Sequence, residues 1–270
     1  MDGAVGMTSV VLSDSFVKYD WLLFYDEKSL IHNKSKMMKI TIRKANARGH
    51  AHHGWLESWH TFSFADYYDP QHMGFRSLRV INQDRIAPGR GFGTHPHRNM
   101  EIFSYLLEGQ LEHRDSMGNG RVLSPGQIQL MSAGTGVTHS ECNPKADAAA
   151  HLLQIWILPR QANLAPSYTE WHPDPALENA AKVLVISADG RDGSATIHQD
   201  ADVYRLRLTA GETVDHFLGV DRGLWLQVIR GSIEVDGQTL HAGDAMSTET
   251  SGAWQFQAHA DSEALLFDLR

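Results

Sequence analysis

The sequence predicts an all-β fold in which two related barrels follow one another along the chain. From about residue 37 onward, short β-like stretches alternate with turns rich in Gly and Pro, and few long helical periods occur. The second half repeats the order of glycines, strands and turns of the first half. A length of 270 residues, 42% of them hydrophobic, suits two domains with a sizeable core.

Short apolar runs mark the predicted strands. They open with residues 39–43 and continue with residues 78–82, 102–109 and 183–186, which are rich in β-branched, Leu or aromatic residues. Turn signals separate the runs, at Pro88-Gly89, Pro125-Gly126, Gly134-Thr135-Gly136, Asp236-Gly237 and Ala242-Gly243. Many short strands at regular spacing are typical of a sandwich or a barrel.

The internal repeat becomes visible when the chain is shifted by 122 residues. Gly89 then falls on Gly211 and Gly109 falls on Gly231, with no gap between them. Strand residues also match, namely Ile102 with Leu224, Leu107 with Ile229, Leu111 with Ile233 and, after a turn, Met131 with Met246. A shared order of glycines, strands and turns indicates two related β-barrels.

These observations predict the domain organisation. Residues 1–36 show no sustained period and are predicted to form a poorly ordered extension, the alternative being a helix that docks on the body. Residues 37–160 are predicted to form the N-terminal barrel and residues 175–270 the C-terminal barrel. The linker between them, residues 159–174, is rich in Pro and polar residues.

Charge and cysteine content restrict the possible partners and compartment. The net charge is −8 and no run of Lys or Arg occurs, which argues against nucleic acid or an anionic membrane as the main partner. The apolar patch at residues 21–25 is too short to span a bilayer. Cys142 stands alone, so no intrachain disulfide can form. We therefore expect a cytoplasmic protein with a small-molecule or protein partner.

Four residues of the first copy have the pattern of a metal site. His95 and His97 are two positions apart, and so are His139 and Glu141, so each pair can point to one face of a strand. Two such strands inside a barrel give a shell of three imidazoles and one carboxylate. This donor set suits one divalent Fe, Mn, Co, Ni, Cu or Zn ion. Four protein ligands leave coordination positions open for a substrate.

A composite of motifs surrounds these residues and resembles the pirin family of the cupin superfamily, especially its bacterial quercetinase-like members. The matching segments are residues 54–64, Met73-Gly74-Phe75, residues 78–82, His95-Pro96-His97-Arg98, Leu107-Glu108-Gly109, residues 115–118 and residues 131–141. The resemblance is dense over residues 39–160, looser beyond them and absent from residues 1–36. It implies two tandem cupin-like jelly-roll barrels.

The resemblance also bears on which carboxylate binds the metal. Many cupins take it from the first motif, here Glu101, whereas pirins resemble a pattern with the carboxylate two residues after the third histidine, here Glu141. We therefore expect Glu141 as the ligand, and Glu101 with Arg98 as partners of the ligating histidines. If Glu101 were the ligand, Glu141 would be free to act as a base.

The second copy is predicted to have lost the metal site. The positions that correspond to the three histidines, Glu101 and Glu141 hold residues that cannot bind a metal, namely Phe217, Gly219, Gly223, Trp254 and Phe256. His216 lies one residue off this register, so its side chain is expected on the other face of its strand. Trp254 and Phe256 are expected to fill the second barrel with apolar bulk.

The remaining reactive residues are interpreted as structural. We expect His52, His53, His60 and His113 to be hydrogen-bonded or surface histidines. Cys142 should face away from Glu141 across the strand, with no signal for a lowered thiol pKa. Residues 115–120 are predicted to form a hairpin loop near the rim of the metal pocket.

The resemblance implies a quercetin 2,3-dioxygenase-like oxidoreductase that uses O2 and a small aromatic substrate such as a flavonol. In that scheme the divalent metal, Fe(II) by preference, lowers the pKa of the bound substrate hydroxyl. Glu141 is the candidate catalytic residue that takes the proton. The alternative is a metal-dependent, redox-responsive regulator that binds a protein partner without turnover. We expect a monomer.

Overall fold

The computed structural model describes residues 40–270; the predicted extension, residues 1–36, lies outside this part of the chain. Residues 40–270 form 22 strands, numbered in chain order, and three single-turn 3-10 helices, Ala45–Ala47, Pro175–Leu177 and Arg191–Gly193. The strands make two seven-stranded and two four-stranded sheets. In the same residues, no helix has the length and apolarity that a membrane crossing requires.

The first half contains one seven-stranded and one four-stranded sheet. The seven-stranded sheet has the order β12-β9-β6-β11-β4-β3-β2, with β2 Gly49–His52, β3 Leu56–His60, β4 Leu78–Ile86, β6 Glu101–Glu108, β9 Ile128–Ser132, β11 Ala150–Ile157 and β12 Ser167–Trp171. The four-stranded sheet has the order β5-β10-β7-β8, with β5 Gly91–His97, β7 Leu111–Asp115, β8 Gly120–Leu123 and β10 Val137–Cys142.

The second half repeats this arrangement. Its seven-stranded sheet has the order β1-β20-β17-β22-β15-β13-β14, with β1 Ile40–Arg43, β13 Lys182–Ser187, β14 Ala195–Thr196, β15 Ala201–Leu208, β17 Gly223–Arg230, β20 Ala245–Thr248 and β22 Ser262–Leu269. Its four-stranded sheet has the order β16-β21-β18-β19, with β16 Thr213–Leu218, β18 Ser232–Val235, β19 Gln238–His241 and β21 Gly252–Ala258. The predicted pair of jelly-roll domains is confirmed, although each is a sandwich of two open sheets.

The outermost strand β1 and the outermost strand β12 occupy corresponding edges of the two seven-stranded sheets. Strand β1 pairs with β20 of the second half, although it lies within the range predicted for the first barrel. Strand β12 pairs with β9 and lies within residues 159–174, the predicted linker. Prolines at 159, 166 and 173 flank β12 and do not interrupt it, so its backbone N–H groups are free to pair.

The two seven-stranded sheets pack against each other through one shared apolar cluster. Phe103 of the first sheet lies 6.4 Å from Phe267 of the second, and Phe62 lies 4.9 Å from Trp225, measured between ring centroids. Because alternate side chains of a strand point to opposite faces, the other face of each large sheet covers its own four-stranded sheet. The predicted metal residues lie in the space between the sheets of the first half.

Candidate metal centre

The structure brings three of the four predicted ligands into one group. His95 and His97 lie on β5, and His139 lies opposite His95 on β10. Each of the three rings has a nitrogen within 4.8 Å of a nitrogen of the other two. The Nε2 atoms of His95 and His139 are 3.1 Å apart. His139 is buried and the other two rings are half-buried, so the group is accessible from one side.

A β-bulge in β5 positions these rings. His139 pairs with His95, but Glu141, two residues further on, pairs with Phe92, three residues back. The additional residue lies in the Gly93-Thr94 region, where both residues are exposed. A bulge bends its strand and redirects the following side chains. The bulge therefore turns His95 and His97 toward β10, while Phe92 keeps its place in the ladder.

Glu141 adjoins the three-histidine group through His139. Its carboxylate joins a second group, in which ligand atoms of His113, His139 and Glu141 lie within 4.8 Å of one another. The carboxylate is buried and accepts hydrogen bonds from Gln129 Nε2 at 2.6 Å and Gln154 Nε2 at 2.6 Å. Ser104 Oγ lies 3.0 Å from Glu141 Oε1 and 2.6 Å from Gln154 Oε1, and shares its one hydrogen between them. These contacts stabilise the negative charge of Glu141 in its buried position.

Burial favours the neutral form of His97 and His139. Burial lowers the pKa of His97 to about 4, with further lowering by His139 and His95. Burial lowers the pKa of His139 to about 3, with further lowering by His95 and His113. Neutral imidazoles carry a free lone pair at neutral pH, which is the form that binds a metal.

A cavity of about 730 Å³ opens beside this group. Its apolar wall is formed mainly by aromatic side chains, namely Trp55, Phe64, Tyr67, Phe92 and Trp156. Its polar wall contains Ser58, His60, Asn82, Asp84, His95, Glu141 and Gln154. Aromatic walls with a few converging polar groups are typical of a site for a small molecule.

Asp84 is the unusual member of the polar wall. It is fully buried, and Ser58 Oγ donates to its Oδ1 at 2.5 Å. Burial raises the pKa of Asp84 to about 7, and the charge of Glu141 adds to this rise. The wall therefore presents a carboxyl group that exchanges its proton near neutral pH.

His60 and His113 lie closer to the candidate site than the sequence predicted. Both are hydrogen-bonded as expected, His60 to Asn82 at 2.9 Å and His113 to Asp115 at 3.1 Å. However, His60 lines the cavity, and His113 Nδ1 lies 3.4 Å from His139 Nδ1. The signal that could have found them is alternation, since each is two residues from another buried residue on its strand.

Glu101 and Arg98 have other partners than the metal histidines. Glu101 is buried on β6, accepts a hydrogen bond from Ser132 Oγ at 2.5 Å, and lies 3.5 Å from His198 Nδ1 of the second half. Arg98 donates to Asn163 at 3.0 Å on the surface. Among residues 40–270, these contacts place both side chains in support of neighbouring loops, outside both candidate metal groups.

Cys142 behaves as expected. Its thiol donates to Glu112 at 3.4 Å, on the face of β10 opposite the buried Glu141. Burial raises the pKa of the Cys142 thiol, and the carboxylate of Glu112 adds to this rise. The thiol is therefore not activated as a nucleophile.

The second half confirms the apolar filling but corrects the register. Trp254 and Phe256 are buried in the core between the sheets. His216, expected on the other face, is buried and pairs with Trp254, as His95 pairs with His139, whereas Phe217 is 72% exposed. The prediction was wrong because the bulge in β5 adds one residue that β16 lacks. His216 Nε2 contacts Asp268 Oδ2 at 2.8 Å.

Two sheet sandwiches in tandem, with a histidine group between the sheets of the first, define a two-domain protein of the cupin class. Residues 41–157 match the family model described as pirin, and residues 184–269 match the model described as the quercetinase C-terminal cupin domain. The chain belongs to the pirin family, as the sequence motifs indicated.

Similar proteins match this chain over almost the whole of their own length. Quercetin 2,3-dioxygenase of Escherichia coli K12 is 50% identical over 230 residues, which are 85% of this chain and 98% of that protein. The crystal structure of YhhW from Escherichia coli has a TM-score of 0.84 and 49% identity, over 86% of this chain and 98% of that one. Bacterial pirin YhhW in complex with nickel(II) has a TM-score of 0.82 and 48% identity, over 86% and 99% of the two chains.

Proposed function

We propose that this chain is a metal-dependent dioxygenase that cleaves the ring of quercetin-like flavonols with O2. The metal is one divalent ion, Fe(II) in the native protein, held by His95, His97, His139 and Glu141. The observation that carries the proposal is the pair of Nε2 atoms of His95 and His139, 3.1 Å apart at the wall of an aromatic cavity. The identity to quercetin 2,3-dioxygenase of Escherichia coli supports the same activity.

The residues present fit a divalent transition metal. His95 Nδ1 donates to the carbonyl of Gly93 at 2.7 Å, so the lone pair of this ring is on Nε2, facing His139. Imidazole nitrogens with a nearby carboxylate are donors that Fe, Mn, Co, Ni, Cu and Zn accept. The nickel(II) complex of the bacterial pirin YhhW shows that a relative with 48% identity binds such an ion.

The residues around the cavity supply the rest of the chemistry. A divalent ion bound here lowers the pKa of a substrate hydroxyl and orients that hydroxyl. Glu141 takes the proton, because its carboxylate lines the cavity beside the histidine group. The aromatic wall holds the flat rings of the substrate and excludes water, so the deprotonated substrate persists until it meets O2.

The test compares metal binding and turnover in matched variants. The purified chain, loaded with Fe(II) or Ni(II), should bind one equivalent and consume quercetin and O2 together. His139→Ala should reduce the bound metal from about one equivalent to almost none, and turnover with it. His216→Ala, the matched histidine of the second half, should leave both unchanged.

Glu141→Gln separates holding the metal from moving the proton. The amide keeps the size of the side chain but cannot accept the proton as a carboxylate does, so turnover should fall by about 100-fold or more while some metal remains bound. Metal binding without turnover in the unmodified chain would reject the dioxygenase and favour the metal-dependent regulator. No metal binding under any loading condition would reject both.

A further inference from the structure

A chain of three side chains runs from a surface loop to the proposed metal ligand His139. The loop between β7 and β8 forms the hairpin that the sequence predicted, and Asp115 stands at its start. Asp115 Oδ2 lies 3.1 Å from His113 Nε2, and His113 Nδ1 lies 3.4 Å from His139 Nδ1. The side chains of Asp115 and His113 are fully buried, so solvent does not compete for these contacts.

The position of each proton on His113 and His139 follows from the carboxylate of Asp115. A carboxylate only accepts hydrogen bonds, so His113 must carry its proton on Nε2 to donate to Asp115. The Nδ1 atom of His113 is then an acceptor, and it faces Nδ1 of His139. A proton on His139 Nδ1 therefore has a partner, and Nε2 of His139 keeps the lone pair that a metal requires.

We infer that Asp115 and His113 are positioning residues, which select the His139 tautomer that presents Nε2 to the metal. This inference rests on the metal site of the proposed function. A neutral histidine has one proton and two places for it. If the proton of His139 moved to Nε2, it would point at His95 Nε2 and occupy the metal position. The contacts from Asp115 oppose that arrangement because it would leave two lone pairs facing each other at 3.4 Å. In the selected tautomer the Nε2 lone pairs of His95 and His139 face each other at 3.1 Å, and a bound ion would accept both.

The loop holds Asp115 in one orientation. Oδ1 accepts from the backbone N–H groups of Met117 at 2.9 Å and Asn119 at 3.0 Å. Oδ2 accepts from Asn119 Nδ2 at 2.8 Å. Two backbone donors cannot be turned around, so the atom at the Oδ1 position must be an oxygen. This fixes which atom of any substitute faces His113.

Asp115→Asn is therefore expected to reverse the direction of the hydrogen bonds that link residue 115, His113 and His139. The amide oxygen must take the Oδ1 position, so the amide NH2 faces His113 Nε2 and donates to it, while the Asn119 amide can flip to accept. His113 then carries its proton on Nδ1 and points a donor at His139 Nδ1. The tautomer of His139 that binds a metal is now opposed. Affinity for Ni(II) should fall by about 10- to 100-fold.

The first measurement needs no metal. In the metal-free full chain labelled with 15N-histidine, long-range 15N–1H spectra should show His113 protonated on Nε2, and on Nδ1 in Asp115→Asn. His113 protonated on Nδ1 in the unmodified chain would overturn the inference. This result stands whether or not the chain binds a metal, so it separates a failure of the inference from a failure of the proposed function.

The second measurement is Ni(II) affinity by calorimetry. His113→Phe keeps a flat ring against Tyr168, 5.0 Å away, but removes the acceptor, and should also lose about 10- to 100-fold. In that background Asp115→Asn should cost nothing more, because its only route to His139 is gone. Glu234→Gln is the control, since Glu234 contacts His259 at 2.9 Å on the exposed surface of the second half.

Three results would overturn the inference. Affinities within about twofold of the unmodified chain for both Asp115→Asn and His113→Phe would show that His139 needs no selected tautomer. Additive losses in the double variant would show that Asp115 acts through the loop and not through His113. A loss of the same size in Glu234→Gln would show an effect of any charge change.

Discussion

The two halves of the chain share one strand ladder and differ in what the ladder encloses. In the first half, Ser104 lies opposite Gln129 on one neighbouring strand and opposite Gln154 on the other. The corresponding positions of the second half hold only apolar residues, namely Leu226, Met246 and Leu266. Strand pairing thus places Met246 opposite Leu226, where the first half has Gln129, so the match of Met246 with Met131 expected from the sequence was wrong by two residues. Glu141 lies within hydrogen-bond distance of all three polar residues of the first half. It corresponds to Phe256, because Phe92 lies opposite Glu141 and its counterpart, Val214, lies opposite Phe256.

Because of this difference, the apolar core of the first half is split into two clusters, whereas that of the second half is continuous. The buried apolar residues between the sheets of the first half form two separate clusters, one around Leu111 and one around Met131. Those of the second half form a single cluster around Trp254 and Phe256. Alternation and turns thus specify the sandwich, and they tolerate a polar interior as long as each buried polar group finds a partner.

The largest effect is expected when a carboxylate like that of Glu141 is introduced at the corresponding position of the second half. Phe256→Glu puts a carboxyl group into a cluster of buried apolar side chains, so urea unfolding should show a loss of about 4 kcal/mol or more. Phe256→Leu, the control, should cost under about 1.5 kcal/mol plus the cavity that it leaves. A loss for Phe256→Glu no larger than for Phe256→Leu would mean that water reaches the second interior.

A smaller effect distinguishes the two halves by the pH dependence of their stability. His151 of β11 faces Glu108, and the corresponding pair of the second half is Glu263 with Arg230. Burial lowers the pKa of His151 to about 4, and the charge of Arg85 lowers it further. The folded pKa lies below the unfolded value, so the stabilisation is complete above pH 6.5 and is lost as the pH falls toward 4.

The predicted loss between pH 7 and pH 4 that is due to His151 is about 2 to 3 kcal/mol. His151→Gln should remove this part of the pH dependence in urea unfolding. His172→Gln is the control for replacing a histidine by glutamine, since the His172 side chain is 57% exposed. Equal pH profiles for His151→Gln and the unmodified chain would contradict the assignment.

The sequence located the members of the histidine group, because the signal for them is local. His95, His97 and His139 follow from alternation along single strands together with the family motif, and the three do meet. The error at His216 arose because a bulge is one additional residue at an exposed Gly93, which no apolar pattern marks. Ser104 and its amide partners were not predicted, because what brings them to Glu141 is the pairing of strands that are distant in the sequence.

The smallest effect comes from making the first interior resemble the second at one position. Gln154→Leu, which copies Leu266, removes the donor to Glu141 Oε2 but keeps the side-chain volume. In the metal-free protein the carboxylate loses one of its donors, and the expected cost in urea unfolding is about 1.5 kcal/mol. In the nickel-loaded protein the ion would attract the same oxygen, so the cost should shrink. An equal cost with and without nickel would place Glu141 outside the metal shell. Leu266→Gln, the reverse change, should lower the free energy of unfolding by more, because Phe256 and not a carboxylate lies at the position that corresponds to Glu141.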